Sequence, residues 1–112
     1  MRTTQTICEN RLFRRMYRSA KSEVTPVFVL YIRKNGLEIN RLGITTSTKV
    51  GGAVQRSRCR RVLREAYRLL EPEMEHGFDL ILVARTRTAF VSMNEVKDRM
   101  KNVLERQGAM KE

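Results

Sequence analysis

The clearest chemistry in this sequence lies in a series of arginines along one predicted helix. Apolar residues recur at helical spacing from Ala53 to Leu70, and the opposite side carries a single acid, Glu65. The cationic side and its margins, with one upstream lysine, comprise Lys49, Arg56, Ser57, Arg58, Arg60, Arg61, Arg64 and Arg68. Like charges one turn apart repel, so solubility alone does not explain them, and the planar guanidinium group suits phosphate oxygens. The pattern therefore predicts a partner that carries phosphates.

Side chains that could catalyse hydrolysis are scarce. A protein nuclease needs acid–base groups or a cluster of metal-binding carboxylates. His76 is the only histidine, and it lies in an acidic breaker segment, 71–77, away from any glycine-rich turn. Cys8 and Cys59 are the only cysteines, and with one histidine they give no zinc spacing. We therefore predict no catalytic residue and no metal site on the protein.

Length and charge narrow the class of protein. The chain has 112 residues, a formal net charge of +11 and a pI of about 10.6, which is typical of a small domain that attracts polyanions. No stretch approaches the ~20 apolar residues of a membrane span, and the cysteine usage fits a reducing cytosol. We expect one domain over residues 1–112, with 1–6 frayed and 107–112 a tail, located in the cytoplasm and not at a membrane.

The elements before the arginine helix are predicted from periodicity. Residues 9–20 read as a helix, capped either by Asn10 or by a capping box of Thr6 and Glu9. Its apolar stripe comprises Leu12, Phe13, Met16, Tyr17 and Ala20. Strands are expected at 21–25, 27–34 and 41–46. The Asn35-Gly36 pair predicts a hairpin that joins the last two of these strands.

One face of the predicted sheet is less apolar than a core face. Tyr31 and Arg33 share a side of their strand, and Gly43 and Thr45 share a side of the next. Tyrosine side chains such as those of Tyr17 and Tyr31 favour the solvent-exposed edge of an apolar surface, because the hydroxyl group needs a hydrogen-bond partner. We therefore expect this face to line a groove.

The remainder of the chain is expected to complete the sheet and the core. Residues 78–84 form a nearly continuous apolar run, which predicts a strand buried on both faces and paired in parallel with an earlier strand. Ser92 and Glu95 form a capping box, so the last helix is predicted from Met93 to about Gln107. The apolar side of the central helix is predicted to comprise Cys59, Val62, Leu63, Ala66, Tyr67, Leu69 and Leu70. That of the last helix comprises Val96, Met100, Val103 and Leu104.

Segment 41–67 resembles the protein subunit of bacterial ribonuclease P. That family has a strand of the type R-x-G-(I/L)-x-x-(S/T), followed by K-(V/I)-G-x-A-V-x-R-N-R-x-(K/R)-R-x-x-R-E. The arginines at 56, 58, 60, 61 and 64 match this motif residue by residue. Ser57 and Gly52 stand where the family has asparagine. The order of the other elements is also similar, so the resemblance covers residues 7–106.

The resemblance implies an α+β fold in one small domain. The expected order is α-β-β-β-α-β-α, with a four-stranded mixed sheet. The βαβ crossover through the central helix is left-handed in that family, which is an exception to the usual rule.

The resemblance also implies a function. In that family a large RNA removes the 5′ leader of precursor tRNA with Mg²⁺ that is bound to the RNA, and no further protein partner is required. The protein binds this RNA through the arginine helix and holds the leader in a groove. Carried onto this chain, the groove residues would be Phe13, Tyr17, Tyr31 and Arg33.

Two other functions are compatible with a basic surface. A structural RNA-binding protein of ribosomal type would use the same arginines with no part in catalysis. A DNA-binding regulator would use 53–70 as a recognition helix, but that helix lacks Asn or Gln along its exposed side to read base edges.

Overall fold

The computed structural model describes residues 4–112, which form three helices packed on a five-stranded mixed sheet. The strands are β1 (Thr4–Thr6), β2 (Lys21–Val24), β3 (Phe28–Lys34), β4 (Asn40–Thr45) and β5 (Phe78–Ala84). The helices are α1 (Asn10–Ser19), α2 (Ala53–Leu70) and α3 (Met93–Arg106). The α+β class and the order of the predicted elements are confirmed, with one strand more than expected.

The strand order is β1-β4-β5-β3-β2, so β5 lies at the centre of the sheet. It pairs in parallel with β4 and antiparallel with β3. The predicted parallel pairing of this apolar strand is confirmed, and α2 makes the crossover between β4 and β5. The predicted hairpin is wrong, because β5 separates β3 from β4 although Asn35 and Gly36 do form a turn between them.

The expectation that residues 1–6 are frayed is wrong for Thr4–Thr6, while residues 1–3 lie outside the described part of the chain. Strand β1 pairs in parallel with β4, and the Ile7 amide donates to the Leu42 carbonyl at 2.8 Å. The Thr4 hydroxyl lies 2.8 Å from the hydroxyl of Tyr67, which is buried in α2. Backbone pairing and one buried hydroxyl therefore hold a segment that has no apolar pattern.

The two faces of the sheet carry different helices. On one face, β3, β4 and β5 contribute Phe28, Leu42 and Leu80 to the main core, which α2 and α3 complete. On the other face, Met16 of α1 packs with Ile7 and Ile81 in a smaller cluster. This arrangement follows from strand alternation, since odd and even positions of β3 point to opposite faces.

The boundaries of the helices agree with the apolar periodicity of the sequence. Helix α2 buries the predicted side chains except Leu69, which is 43% exposed because it sits at the edge of the stripe. In α3 the Ser92 hydroxyl accepts from the Glu95 amide, which confirms Ser92 as the cap. The predicted capping box is only half formed, because the Glu95 carboxylate pairs with Arg99 at 3.7 Å. Neither alternative for capping α1 occurs, because its N-cap residue is Glu9 and that side chain makes no capping bond.

The C-terminal residues pack against the breaker segment and do not form a free tail. Ala109 is fully buried, and its carbonyl accepts from the Glu75 amide at 2.8 Å. Met110 forms an isolated antiparallel bridge with Met74. In residues 4–112, no helix is long and apolar enough to cross a membrane.

Candidate nucleic-acid interface

The seven predicted cations and Ser57 share one exposed surface of α2 and the segment before it, which we call the arginine face. All of them are exposed except Arg56 and Arg60, which are half-buried. This surface points away from the main core, because the apolar side of the same helix packs against the sheet and α3. The structure therefore brings together all eight side chains that the sequence predicts for RNA binding.

Three of these arginines are partly engaged within the protein. Arg56 donates from Nη1 to the Gly51 carbonyl at 2.9 Å, which closes the turn before α2. Arg58 donates from Nε to the Ala89 carbonyl at 2.8 Å. Arg68 donates from Nε to Glu65 at 3.0 Å, so the single acid of this helix neutralises the arginine at its C-terminal end.

The other cations of this surface are not neutralised by any group in residues 4–112. Within residues 4–112, the side chains of Lys49, Arg60, Arg61 and Arg64 make no hydrogen bond or ion pair. Positions 60 and 64 are one helical turn apart, so their charges repel without internal compensation. An anionic ligand would relieve this repulsion, and several guanidinium groups on one ridge suit successive phosphates.

The turn that precedes α2 sets the direction of the arginine face. The Ser47 hydroxyl accepts from the Lys49 amide at 3.3 Å, and Gly51 has φ = 143°. A Cβ atom on Gly51 would lie 3.0 Å from the side chain of Gln55, so a larger residue there is strained in backbone and crowded by the helix. The glycine thus allows the chain to turn sharply from the sheet into the helix.

A second surface lies on the opposite side of the sheet, beside α1. Phe13 and Tyr17 have ring centroids 6.3 Å apart, and Tyr17 meets Tyr31 edge to face at 4.9 Å. A depression next to these rings is lined by Asn10, Phe13, Arg14, Tyr17, Ile44 and Thr45. We call this depression, with Tyr31, the aromatic groove. Tyr17 is 43% exposed, so it offers a ring edge to a ligand.

The floor of the aromatic groove depends on a glycine. A Cβ atom built on Gly43 would lie 2.6 Å from Cζ and 2.9 Å from Cε1 of Phe13. The ring of Phe13 therefore rests directly on the backbone of β4, and Gly43 is buried beneath it. This close approach explains why the predicted groove face carries a glycine between apolar neighbours.

Burial raises the pKa of the Tyr17 hydroxyl, and the neighbouring Tyr31 acts in the same direction. A hydrogen bond between Tyr17 and the Thr45 side chain opposes this rise. The hydroxyl consequently stays protonated at neutral pH and remains able to donate a hydrogen bond.

The structure does not bring Arg33 together with the three aromatic side chains. Its guanidinium group lies 3.4 Å from the Asp79 carboxylate and donates to the Ser19 hydroxyl at 3.4 Å. Ser19 and Tyr17 project from opposite sides of α1, because two residues span about 200° of a helix. Arg33 therefore lies across the helix from the aromatic groove.

Asp79 is the centre of the polar cluster that contains Arg33. Its side chain is fully buried, and it accepts from Arg41 at 2.7 and 2.8 Å and from Asn35 at 3.0 Å. Burial alone would raise the pKa of Asp79, but these hydrogen bonds and the charges of Arg41 and Arg33 outweigh burial and lower it. One carboxylate thus fixes two arginines on the sheet face.

Side chains with metal-binding or nucleophilic chemistry lie apart from one another in residues 4–112. In the described residues, no group of three or more His, Cys, Asp or Glu side chains is placed to hold a metal ion. His76 is exposed in its loop. Burial raises the pKa of the Cys59 thiol, against the opposing charges of Arg58 and Arg60, so this buried side chain is a poor nucleophile.

Sequence reasoning missed several residues of these surfaces. Asn10 and Arg14 line the aromatic groove, although the sequence offers Asn10 only as a cap and leaves Arg14 outside the apolar stripe of α1. Asp79 lies in the run that the sequence predicts as a buried apolar strand, and a lone acid in such a run indicates a buried charge that needs a partner.

The comparisons with known proteins agree on one family. The family model described as Ribonuclease P matches residues 1–108. The ribonuclease P protein component of Clostridium botulinum (strain Loch Maree / Type A3) is 40% identical over 103 residues, which cover 91% of this chain and 93% of that protein. That of Natranaerobius thermophilus is 48% identical over 82 residues, which cover 73% and 71%.

The chain belongs to the ribonuclease P protein family.

Solved structures of the family share this fold. The RNase P protein of Staphylococcus aureus matches with a TM-score of 0.82 and 27% identity, over 94% of this chain and 96% of that chain. The RNase P protein of Thermotoga maritima matches with a TM-score of 0.81 and 29% identity, over 91% and 96%. As a ribonuclease P protein component, the chain is an RNA-binding subunit of a ribonuclease that processes tRNA. The ribosomal-type and DNA-regulator interpretations have no finding in their favour.

Proposed function

We propose that the arginine face binds the catalytic RNA of ribonuclease P, and that the aromatic groove holds the single-stranded 5′ leader of precursor tRNA. The RNA subunit then hydrolyses the phosphodiester bond with Mg²⁺ that the RNA itself holds. The protein binds the catalytic RNA and positions the leader, and the RNA subunit carries out the chemistry.

The observation that carries the proposal is the separation of the two surfaces by the sheet. One side presents unpaired cations, Arg60, Arg61 and Arg64, which suit the dense phosphates of a structured RNA. The other side presents aromatic rings at a depression, which suit unstacked bases. A single chain with both surfaces can contact two RNAs at once.

Reconstitution tests the proposal directly. The purified protein is mixed with a bacterial ribonuclease P RNA at low Mg²⁺, and release of the 5′ leader from precursor tRNA is followed. We expect cleavage at the mature 5′ end only when both components are present. Cleavage at that junction by the protein without RNA would refute the assignment of catalysis to the RNA.

The arginine face is tested by the salt dependence of RNA binding. Replacement of Arg60 and Arg64 by alanine should lower the slope of log K against log salt by about 1.4–1.8, since each phosphate contact contributes roughly 0.7–0.9. A matched control removes two exposed cations elsewhere, Lys101 and Lys111, and should leave the slope nearly unchanged. Equal slopes for all three proteins would exclude these arginines from the interface.

The aromatic groove is tested by discrimination between two tRNA forms. Tyr31→Ala should weaken binding of leader-bearing precursor and spare mature tRNA. The ratio of the two affinities should fall by roughly 5- to 150-fold, which corresponds to one lost stacking contact of ~1–3 kcal/mol. Tyr31→Phe keeps the ring and should keep the discrimination. The same loss for precursor and mature tRNA would place the leader elsewhere.

A further inference from the structure

One aromatic ring of the protein lies outside both surfaces described so far. Phe90 is 74% exposed, which makes it the most exposed aromatic side chain in residues 4–112. It ends a short 3-10 helix, Thr86–Phe90, that follows β5. The face of an exposed aromatic ring is a surface on which an unstacked nucleic-acid base can stack.

The backbone that carries Phe90 is firmly held. The Thr88 hydroxyl donates to the Val27 carbonyl and accepts from the Arg85 amide at 2.9 Å. Both neighbours of the phenylalanine, Ala89 and Val91, are buried. The ring therefore projects from a fixed point, and a ligand that stacks on it loses little additional conformational entropy of the protein.

The same loop is tied to the arginine face. Arg58 donates from Nε to the carbonyl of Ala89, which belongs to the peptide group that joins Ala89 to Phe90. This bond uses one of the five N–H groups of the guanidinium, and the others remain available. Arg87, three residues before Phe90, is also exposed. The loop that carries the ring therefore includes one exposed cation and contacts another, Arg58.

We infer that Phe90 is an additional RNA contact, a platform on which one unpaired base of the ribonuclease P RNA stacks while Arg58 and Arg87 meet the flanking phosphates. This inference rests on the proposed function of the arginine face. The combination of a ring with adjacent guanidinium groups matches a base with its phosphates better than an apolar protein surface, which would leave these charges desolvated.

A tryptophan at position 90 provides a direct probe, because the chain contains no tryptophan. In Phe90→Trp, stacking on a base should quench the indole fluorescence, with saturation at the same RNA concentration as binding measured by filter retention. Leu37→Trp is the matched control. Leu37 is 47% exposed and lies just beyond Lys34, the last residue of β3. The Phe90 loop lies beyond the other end of β3, where Phe28 pairs with Ala84. Its fluorescence should stay unchanged.

Affinity measurements separate stacking from simple apolar contact. Phe90→Ala should weaken binding of ribonuclease P RNA by roughly 5- to 150-fold, with an unchanged salt slope because no charge is lost. Phe90→Leu should lose nearly as much, and Phe90→Tyr should bind like the wild type. Full affinity of Phe90→Leu would overturn stacking in favour of an apolar contact.

The outcomes distinguish this inference from the function on which it rests. If wild-type protein binds the RNA but Phe90→Trp shows no quenching, the inference is wrong and the proposed function stands. If wild-type protein binds no ribonuclease P RNA, the proposed function and this inference are both overturned.

Discussion

Replacement of Gly43 by alanine tests whether the aromatic groove depends on direct contact between the first helix and the sheet. The new methyl group would lie 2.6 Å from Cζ of Phe13, well inside normal van der Waals contact. Gly43 is not among the glycines with positive φ, so alanine suits the backbone of this strand. The clash with the ring is therefore the only steric obstacle that the structure identifies.

Two effects of opposite sign determine the expected stability. Alanine in place of a glycine with compatible backbone stabilises a protein by ~0.4–1 kcal/mol through the unfolded state. Overpacking a filled site costs ~1–3 kcal/mol, because side chains and backbone must shift. We expect a net loss of about 1–2 kcal/mol in the free energy of unfolding of Gly43→Ala.

The assay is a double-mutant cycle by urea denaturation. Without the ring, in the Phe13→Ala background, the same Gly43→Ala change should be neutral or stabilising by up to ~1 kcal/mol. The coupling free energy between the two positions should therefore be about 1–3 kcal/mol. If the two changes add to within ~0.5 kcal/mol, the contact does not shape the groove and the reasoning fails.

Two further predictions concern buried polar groups. Asp79→Asn should lower the free energy of unfolding by ~1.5–3 kcal/mol near neutral pH, since a charged hydrogen-bond partner of Arg41 is lost. Because the folded pKa of Asp79 is lowered, the advantage of wild type should persist above the ordinary pKa near ~3.9 and shrink as pH falls below it, which urea titrations from pH 7 to pH 2.5 can measure. Tyr67→Phe should cost about 1 kcal/mol and increase hydrogen exchange in β1, because the Thr4 hydroxyl loses its buried partner. Unchanged exchange there would mean that backbone pairing alone holds the strand.

The sequence predicted the helices well because their signal is local. In α2 the apolar stripe, the glycines before Ala53 and the breaker after Leu70 all indicate the same boundaries. The arginine face followed directly, since the side opposite an apolar stripe faces away from the core. The exposure of Leu69 shows that the edge of such a stripe is less certain than its centre.

Strand pairing was harder to predict because it depends on distant segments. The Asn35-Gly36 turn is a local preference, and it does not specify which strands pair beyond it. The apolar run of β5 can be buried on both faces, which favours the centre of the sheet over an edge. Strand β1 has no apolar alternation at all, so only its partners in the folded protein reveal it.

The placement of Arg33 shows a similar limit. Alternation along β3 assigned this residue to the same face as Tyr31, which the structure confirms. The sequence does not indicate where α1 crosses that face, and the crossing divides it into two sides. Arg33 consequently pairs with Asp79 on one side, while the aromatic rings lie on the other.

The central position of β5 has a consequence for biosynthesis. Strands β3 and β4 are made first, but each lacks its inner neighbour until residues 78–84 have left the ribosome. Sheet closure therefore waits for about three quarters of the chain, and two strand edges stay open to wrong partners in the meantime. We expect a nascent chain that stops at Gly77 to lack a stable sheet, and a native-like circular dichroism spectrum from that fragment would contradict this order of events.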